Sequence, residues 1–301
     1  MNHQLLYAAR KITKVAYRIQ GIGLGRVCET IRSRVAKRWD GGRLEIDDFM
    51  GSLKFSCDLG EHMGSQIFWR GHYSGDQLEL IGKYLPRGGV FLDVGANQGE
   101  FTVYAASLVG EQGRVVAFEP LRRNVECLEA NVRLNGYECV TVVEQAVGAE
   151  PGEAPMFTSY EPFADGTEHK GGLATLFDSD MRNTVVEKVA VGRIDDTVRS
   201  LGLSRVDVIK LDIEGGELPA LNGAEDTVRR FRPVLILEIG EEMCRAAGYA
   251  PQELIDWLHE RGYRLELILY GGRTRPLVPP IELGAYQNVV ALPGPSGRHA
   301  A

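Results

Sequence analysis

No run in this 301-residue chain approaches the about 18 uncharged apolar residues that a membrane-spanning helix needs. The N-terminus also lacks the compact apolar stretch and small-residue cleavage site of a secretory signal, so a cytoplasmic protein is expected. Cysteine is scarce: Cys28, Cys57, Cys127, Cys139 and Cys244 are odd in number, scattered and without a Cys-x-x-Cys pair. Neither a disulfide framework nor a zinc site is expected from them. Internal repeats and low-complexity tracts are missing too. What remains is ordinary globular material, 44% apolar and 25% charged, enough for a sizeable core.

The charge is unevenly placed. The net value is −7, yet residues 1–43 hold ten Lys/Arg against Glu29 and Asp40, which makes that segment +8 and the remainder −15. So acidic a body makes a poor nucleic-acid surface. Residues 4–38 read as helix, with a break near Gly21–Gly25, because Leu5, Ile12, Val15 and Ile19, then Leu24, Val27, Ile31 and Val35, recur at helical spacing. Two readings fit: an apolar stripe packed on the body with the cations in water, or a basic amphipathic surface for anionic lipid or an acidic partner. Peripheral contact with the inner face of a membrane through residues 1–40 belongs to the second.

Beyond a short hairpin expected in 43–59, helices and strands alternate. Strands are expected at 89–95, 114–119, 140–147, 206–212, 234–238, 264–270 and 287–292, with helices at 77–85, 100–108, 122–134, 195–201 and 251–261. The Gly/Pro-rich stretch 148–183 reads as loops around a hairpin of 156–159 with 174–177, and 185–191 as a further strand. Such alternation specifies an α/β protein with a doubly wound, mostly parallel sheet. The expected division is a helical appendage over 1–45, a domain over 46–292 and a disordered tail over 293–301.

The most informative segment is Phe91-Leu-Asp-Val-Gly-Ala-Asn-Gln-Gly-Glu-Phe101, a strand entering a tight turn that opens a helix. Its spacing is Gly95-x-Asn97-x-Gly99, not Gly-x-Gly-x-x-Gly. In a dinucleotide site the second glycine admits a pyrophosphate, so Asn97 would crowd one. Free N–H groups at Ala96 and its neighbours would suit a smaller anion such as an amino-acid carboxylate. Asp93 could meet an amino group, and Glu119 ends the next strand at the spacing at which an acid binds ribose hydroxyls. An amino acid joined to a ribose without phosphate describes S-adenosylmethionine.

A second constellation is Val208-Ile-Lys-Leu-Asp-Ile-Glu-Gly-Gly-Glu217. Lys210, Asp212 and Glu214 alternate along an apolar strand end, where ionisable groups are costly unless paired or functional. Glu238 ends the following strand on the same rim. For Glu217, helix capping and function are equal readings.

These segments, with Val116-Ala-Phe-Glu-Pro120, Arg193-Ile-Asp-Asp196 and Asn288-Val-Val-Ala291, resemble the FkbM family of S-adenosylmethionine-dependent methyltransferases over roughly residues 50–292. The resemblance implies a Rossmann-like class I methyltransferase sheet of seven strands, one antiparallel near the edge. It also implies methylation of a hydroxyl on a sugar, glycolipid or other natural product. By position, Asp93, Gly95, Asn97, Glu119 and Pro120 would border the cofactor, with Ala146 near the adenine and Asp212 between cofactor and acceptor. Many methyltransferases carry an acid that meets the adenine amino group; here Gln145 would substitute for it.

An alcohol needs help losing its proton, and Asp212 is the first choice of base, Glu214 or Glu238 the second, with Lys210 holding the carboxylates. His62, His72 and His169 are other bases without partner motifs. The carboxylates could instead take Mg²⁺, although no spacing here is metal-specific and no metal ligand is assigned. Trp69, Tyr73 and Phe68 could pack on a small-molecule or glycan acceptor, or simply on the core. Two rival classes remain open: a nicotinamide-dependent oxidoreductase on a similar sheet, and a non-catalytic binding module.

Overall fold

Alternation in the central strands decides which side chains meet the site. A computed structural model describes residues 3–18, 24–39, 42–158, 174–179, 182–277 and 286–294. Helices α1 (His3–Arg18) and α2 (Leu24–Ala36) are followed by a hairpin of β1 (Leu44–Phe49) and β2 (Leu53–Cys57), then α3 (His62–Arg70) and α4 (Gly75–Tyr84). The first part of the α/β body comprises β3 (Val90–Val94), α5 (Glu100–Val109), β4 (Arg114–Phe118), α6 (Arg122–Leu134) and β5 (Val140–Val143). Next come β6 (Ala146–Val147), β7 (Gly152–Thr158), β8 (Thr184–Gly192) and α7 (Ile194–Ser200). The rest is β9 (Val208–Leu211), α8 (Glu217–Asn222), α9 (Glu225–Phe231), β10 (Val234–Ile239), α10 (Glu241–Ala246), α11 (Pro251–Glu260), β11 (Tyr263–Leu269), β12 (Arg273–Pro276) and β13 (Gln287–Pro293).

The main sheet runs β12-β11-β13-β10-β9-β3-β4-β5. The five strands from β10 to β5 are parallel, whereas β13 pairs antiparallel with both β10 and β11. That is the doubly wound class expected, with one addition: β12 folds back on β11 as an eighth, antiparallel edge strand. Its Arg273-Thr-Arg-Pro sequence has no apolar alternation, so nothing local announced it. The chain leaves β3 for β4 on one side and returns to β9 on the other. The crevice beyond the carboxyl ends of β3 and β9 is therefore the switch point at which such sheets bind ligands.

Helices α3, α8, α9 and α10 are not among those expected, and two strand regions differ from the sequence expectation. Residues 140–147 split at Glu144–Gln145, and β6 leaves the main sheet for a small one of order β6-β8-β7. The strand β7 pairs with β8 rather than with 174–177, which contributes only a bridge from Thr175 to Phe157. A nine-residue partner satisfies the backbone of β7 better than a short segment that lacks alternation.

The sheet is buried on both faces. Leu92 and Val94 join one apolar cluster with Ile209 and Leu211, while Phe91 joins another with Val208 and helices α4 and α5. A third cluster, with Phe49, Phe55, Phe68 and Trp69, lies beneath the N-terminal helices. There α1 is tied down by Arg10, which donates to the Phe68 carbonyl and, with Lys14, pairs with Asp48. Against the cost of partial burial, these two cations hold the Asp48 carboxyl down at about 2.

Candidate active site

A cavity of about 1140 Å³ opens at the switch point. Its wall takes in Gly95, Ala96, Asn97, Glu119, Pro120, Gln145 and Ala146 on one side. On the other stand Tyr73, Lys210, Asp212, Glu214 and Glu238. Most of the residues expected from sequence are thus brought together. Three are not. Asp93 shares the face of Phe91, as strand alternation requires, and so lies fully buried under α5, where it accepts from Thr102 Oγ1 at 2.5 Å. Gly99 (φ +92) is a packing glycine: a Cβ there would lie 2.5 Å from Leu128 Cδ1. Trp69 is 1% exposed in the cluster below the N-terminal helices, stacked edge-on against Phe68, and does not reach the cavity.

The glycine turn is also not the anion cradle expected. The N–H groups of Gly95 and Ala96 both donate to the Phe118 carbonyl, Asn97 N donates to Glu119 at 2.7 Å, and Gly99 N donates to the Ala96 carbonyl. Positive φ at Gly95 (+83) and Asn97 (+50) turns the chain back onto β4, and that engages these four donors. Asn97 still stands where a dinucleotide site has the glycine that admits a pyrophosphate. What the turn offers instead is an acceptor: Asn97 Oδ1 is buried without a partner among the described residues. Such an orphan calls for a donor such as an ammonium group.

Glu119 also accepts from Leu121 N at 3.0 Å and Asn124 Nδ2 at 3.2 Å, which fixes its orientation toward the cavity. Its carboxyl is nonetheless pushed up to about 7 by burial. On the acceptor side, Lys210 pairs with Asp212 at 3.3 Å and lies over the Phe101 ring. Burial alone would lower the Lys210 pKa, but Asp212 and then Asp93 outweigh it and the net shift is upward, so the ammonium is secure. Glu214, at φ +56, is paired with Arg182 at 2.8 Å, and Thr175 Oγ1 donates to its carbonyl at 2.9 Å. Glu238 has no ion pair among the described residues; burial, then Asp212, Glu214 and Glu217, push it up to about 9.

Carboxylate oxygens of Asp212, Glu214 and Glu238 lie within 4.8 Å of one another. This is an oxygen set of the kind Mg²⁺ takes, although Lys210 and Arg182 already neutralise two of the three. Glu217 belongs to the turn: it accepts from Ile213 N and Gly215 N, both at 3.0 Å, and is pushed up to about 8 by burial. His62 stacks edge-on against Tyr73, and the His72 ring crowds Gly75; neither lines the cavity. His169 lies outside the described residues.

Sequence reading missed Gln77 and Asn288, joined at 2.9 Å on the cavity wall, and Glu100, which accepts from the Tyr73 and Ser74 N–H groups and so places Tyr73. It also missed Arg182. Of these, Glu100 and Asn288 stood in segments already singled out.

Residues 93–265 match the model of the Methyltransferase FkbM domain, more than half of the chain. The protein belongs to the FkbM methyltransferase family. The AMB antimetabolite synthetase AmbE of Pseudomonas aeruginosa is 28% identical over 255 residues, which cover 74% of this chain and 12% of that protein. The chain therefore spans a small part of that relative. Methyltransferase sdnD of Sordaria araneosa is 27% identical over 192 residues, 56% of this chain and 71% of that one. A crystal structure of a methyltransferase FkbM from Methylobacillus flagellatus is 17% identical with a TM-score of 0.42, over 75% of this chain and 52% of that one. No helix among the described residues is long and apolar enough to cross a membrane.

The buried acids of this FkbM domain set its response to pH. Glu100 and Glu119 are raised from 4.5 to about 7, Glu217 to about 8 and Glu238 to about 9. The folded chain thus keeps protons that the unfolded chain has already released. The stability this gives is complete below about 4.5 and is lost as pH rises through 7–9. The thermal midpoint of the ligand-free protein should fall by several degrees from about pH 6 to about pH 9. A midpoint that stays level or rises across that range would contradict the assignment.

Proposed function

We propose that this protein transfers a methyl group from S-adenosylmethionine to a hydroxyl of a sugar, glycolipid or other natural product, with Asp212 as general base. The cofactor half of the cavity fits that molecule on three counts. Asn97 Oδ1 is an orphaned acceptor suited to its ammonium, Glu119 suits the ribose hydroxyls, and Leu121, Ala146 and Met156 form an apolar wall for the adenine beside Gln145. When bound, the cofactor supplies an electrophilic methyl on a sulfonium.

The chain's own residues align the acceptor and manage its proton. Asp212 carries the reading: it lines the cavity, is paired with Lys210, and has its backbone oxygen packed against Gly95 of the cofactor turn. Glu238, pushed up to about 9, holds a proton at neutral pH and would donate a hydrogen bond to the acceptor. Tyr73 stands beside it as a wall for a sugar ring. The −15 body disfavours nucleic acid as acceptor.

Calorimetric titration with S-adenosylmethionine and, separately, NADH tests the cofactor. Saturable binding of the first alone is expected, weakened on the order of tenfold or more by Glu119→Gln, since a buried charge-assisted hydrogen bond is lost. Binding of NADH, or of neither, would overturn the proposal. Turnover of hydroxylated acceptors, with amines as the comparison, tests the O-methylation.

A further inference from the structure

The two helices before the methyltransferase body present more apolar surface than their packing uses. On α1 the inward face carries Leu6, Arg10 and Thr13, all buried. A second stripe points outward: Leu5, Ala8, Ile12 and Val15 follow i, i+3, i+7 and i+10 on one side of the helix. Leu5 and Ile12, 70% and 72% exposed, are the most exposed large aliphatic side chains among the described residues, and Val15 and Val27 of α2 are more than half exposed. The inward stripe makes the fold; the outward one has no partner within it. A row of exposed aliphatic side chains along one side of a helix marks an interaction site.

Charge selects the occupant. Internal pairing takes up Arg10 and Lys14 with Asp48, and Arg32 with Glu29, but Lys11, Arg34, Lys37 and Arg38 are exposed and form no ion pair among the described residues. Lys11 adjoins the outward stripe on α1. An apolar stripe among unneutralised cations suits an anionic bilayer, with the aliphatic side chains at the acyl boundary and the cations among the headgroups. A second copy fits worse, because it would bring two +8 segments together. The −15 body is repelled by the same bilayer, so only the helical end can approach. We propose that α1 and α2 dock the protein peripherally on anionic lipid through Leu5, Ile12, Val15 and Val27.

Flotation of the intact protein with two kinds of vesicle tests this: phosphatidylcholine alone, and equimolar phosphatidylcholine and phosphatidylglycerol. Binding to the second alone is expected, weakening as salt is raised. The double variant Leu5→Asp/Ile12→Asp should bind at least about tenfold more weakly, as should Lys11→Glu/Arg34→Glu. Both pairs lie on the surface, so an unchanged thermal midpoint will show that the fold is intact; Ile12→Ala, expected to lose a few-fold, is the milder check. The proposal is overturned if the protein floats with neither vesicle, or if the variants float as the parent does. It is equally overturned if, without lipid, the parent sediments as a dimer that Leu5→Asp/Ile12→Asp dissociates.

Discussion

Replacing Asp212 by Asn should lower methyl transfer by roughly 10²- to 10⁴-fold, the usual contribution of a positioned general base. Affinity for S-adenosylmethionine should stay within about threefold, since the substitution preserves shape. Single-turnover rates with a hydroxylated acceptor, alongside calorimetry, separate the two effects. The expectation follows from the uneven treatment of three neighbouring carboxylates. Glu214 is held by Arg182 and by its own turn, and Glu238 keeps a proton to about pH 9. Asp212, with a side chain 33% exposed and paired only to Lys210 among the described residues, is the carboxylate we assign as base. Should Asp212→Asn retain most of the rate while Glu238→Gln loses it, the base has been misassigned.

Gly95→Ala should be the most damaging single change in the fold. Its φ of +83 alone would cost a side chain about 1 kcal/mol. The added Cβ would also lie 2.1 Å from the Asp212 carbonyl oxygen and 2.9 Å from Ile213 Cγ2, backbone and β-branched neighbours that cannot rotate away. Forcing β3 and β9 apart adds the expense of overpacking, for a total of about 3 kcal/mol or more. Gly88 supplies the comparison: its φ is +72, yet nothing lies within 4 Å of an added Cβ. Gly88→Ala should cost only about 1 kcal/mol. Urea denaturation of both variants reads the difference; equal costs would mean that the close approach carries no strain.

The residues of β3 and its turn made the crevice legible, because one short segment holds strand, turn and helix start together. They did not reveal which way Asp93 faces. A strand buried on both faces reads as a continuous apolar run, and only the observation that Phe91 and Asp93 share a face under α5 decides it. Trp69 failed for a related reason: aromatics two turns before a site look alike whether they line it or sit beneath it. Other features had no local signal. The Gln77–Asn288 contact spans 211 residues, and Arg182 meets Glu214 only because β7 and β8 return that stretch over the crevice. The donors of the glycine turn were misread because Glu119, assigned to a ligand, also accepts from Asn97.

The close seating of Gly95 on the Asp212 backbone gives this architecture a division of labour. On the proposed assignment, the electrophile's seat and the proton acceptor would ride on adjoining strands held in register by this contact, and the scaffold would set the trajectory of transfer. Tyr73, Thr175, Arg182 and Tyr286, from connections around the rim, line the same cavity and on that assignment would judge the acceptor's shape. Those connections can be recast, lengthened or exchanged without retuning the reaction geometry. One frame of this kind can be refitted to new molecules by changing its borders alone.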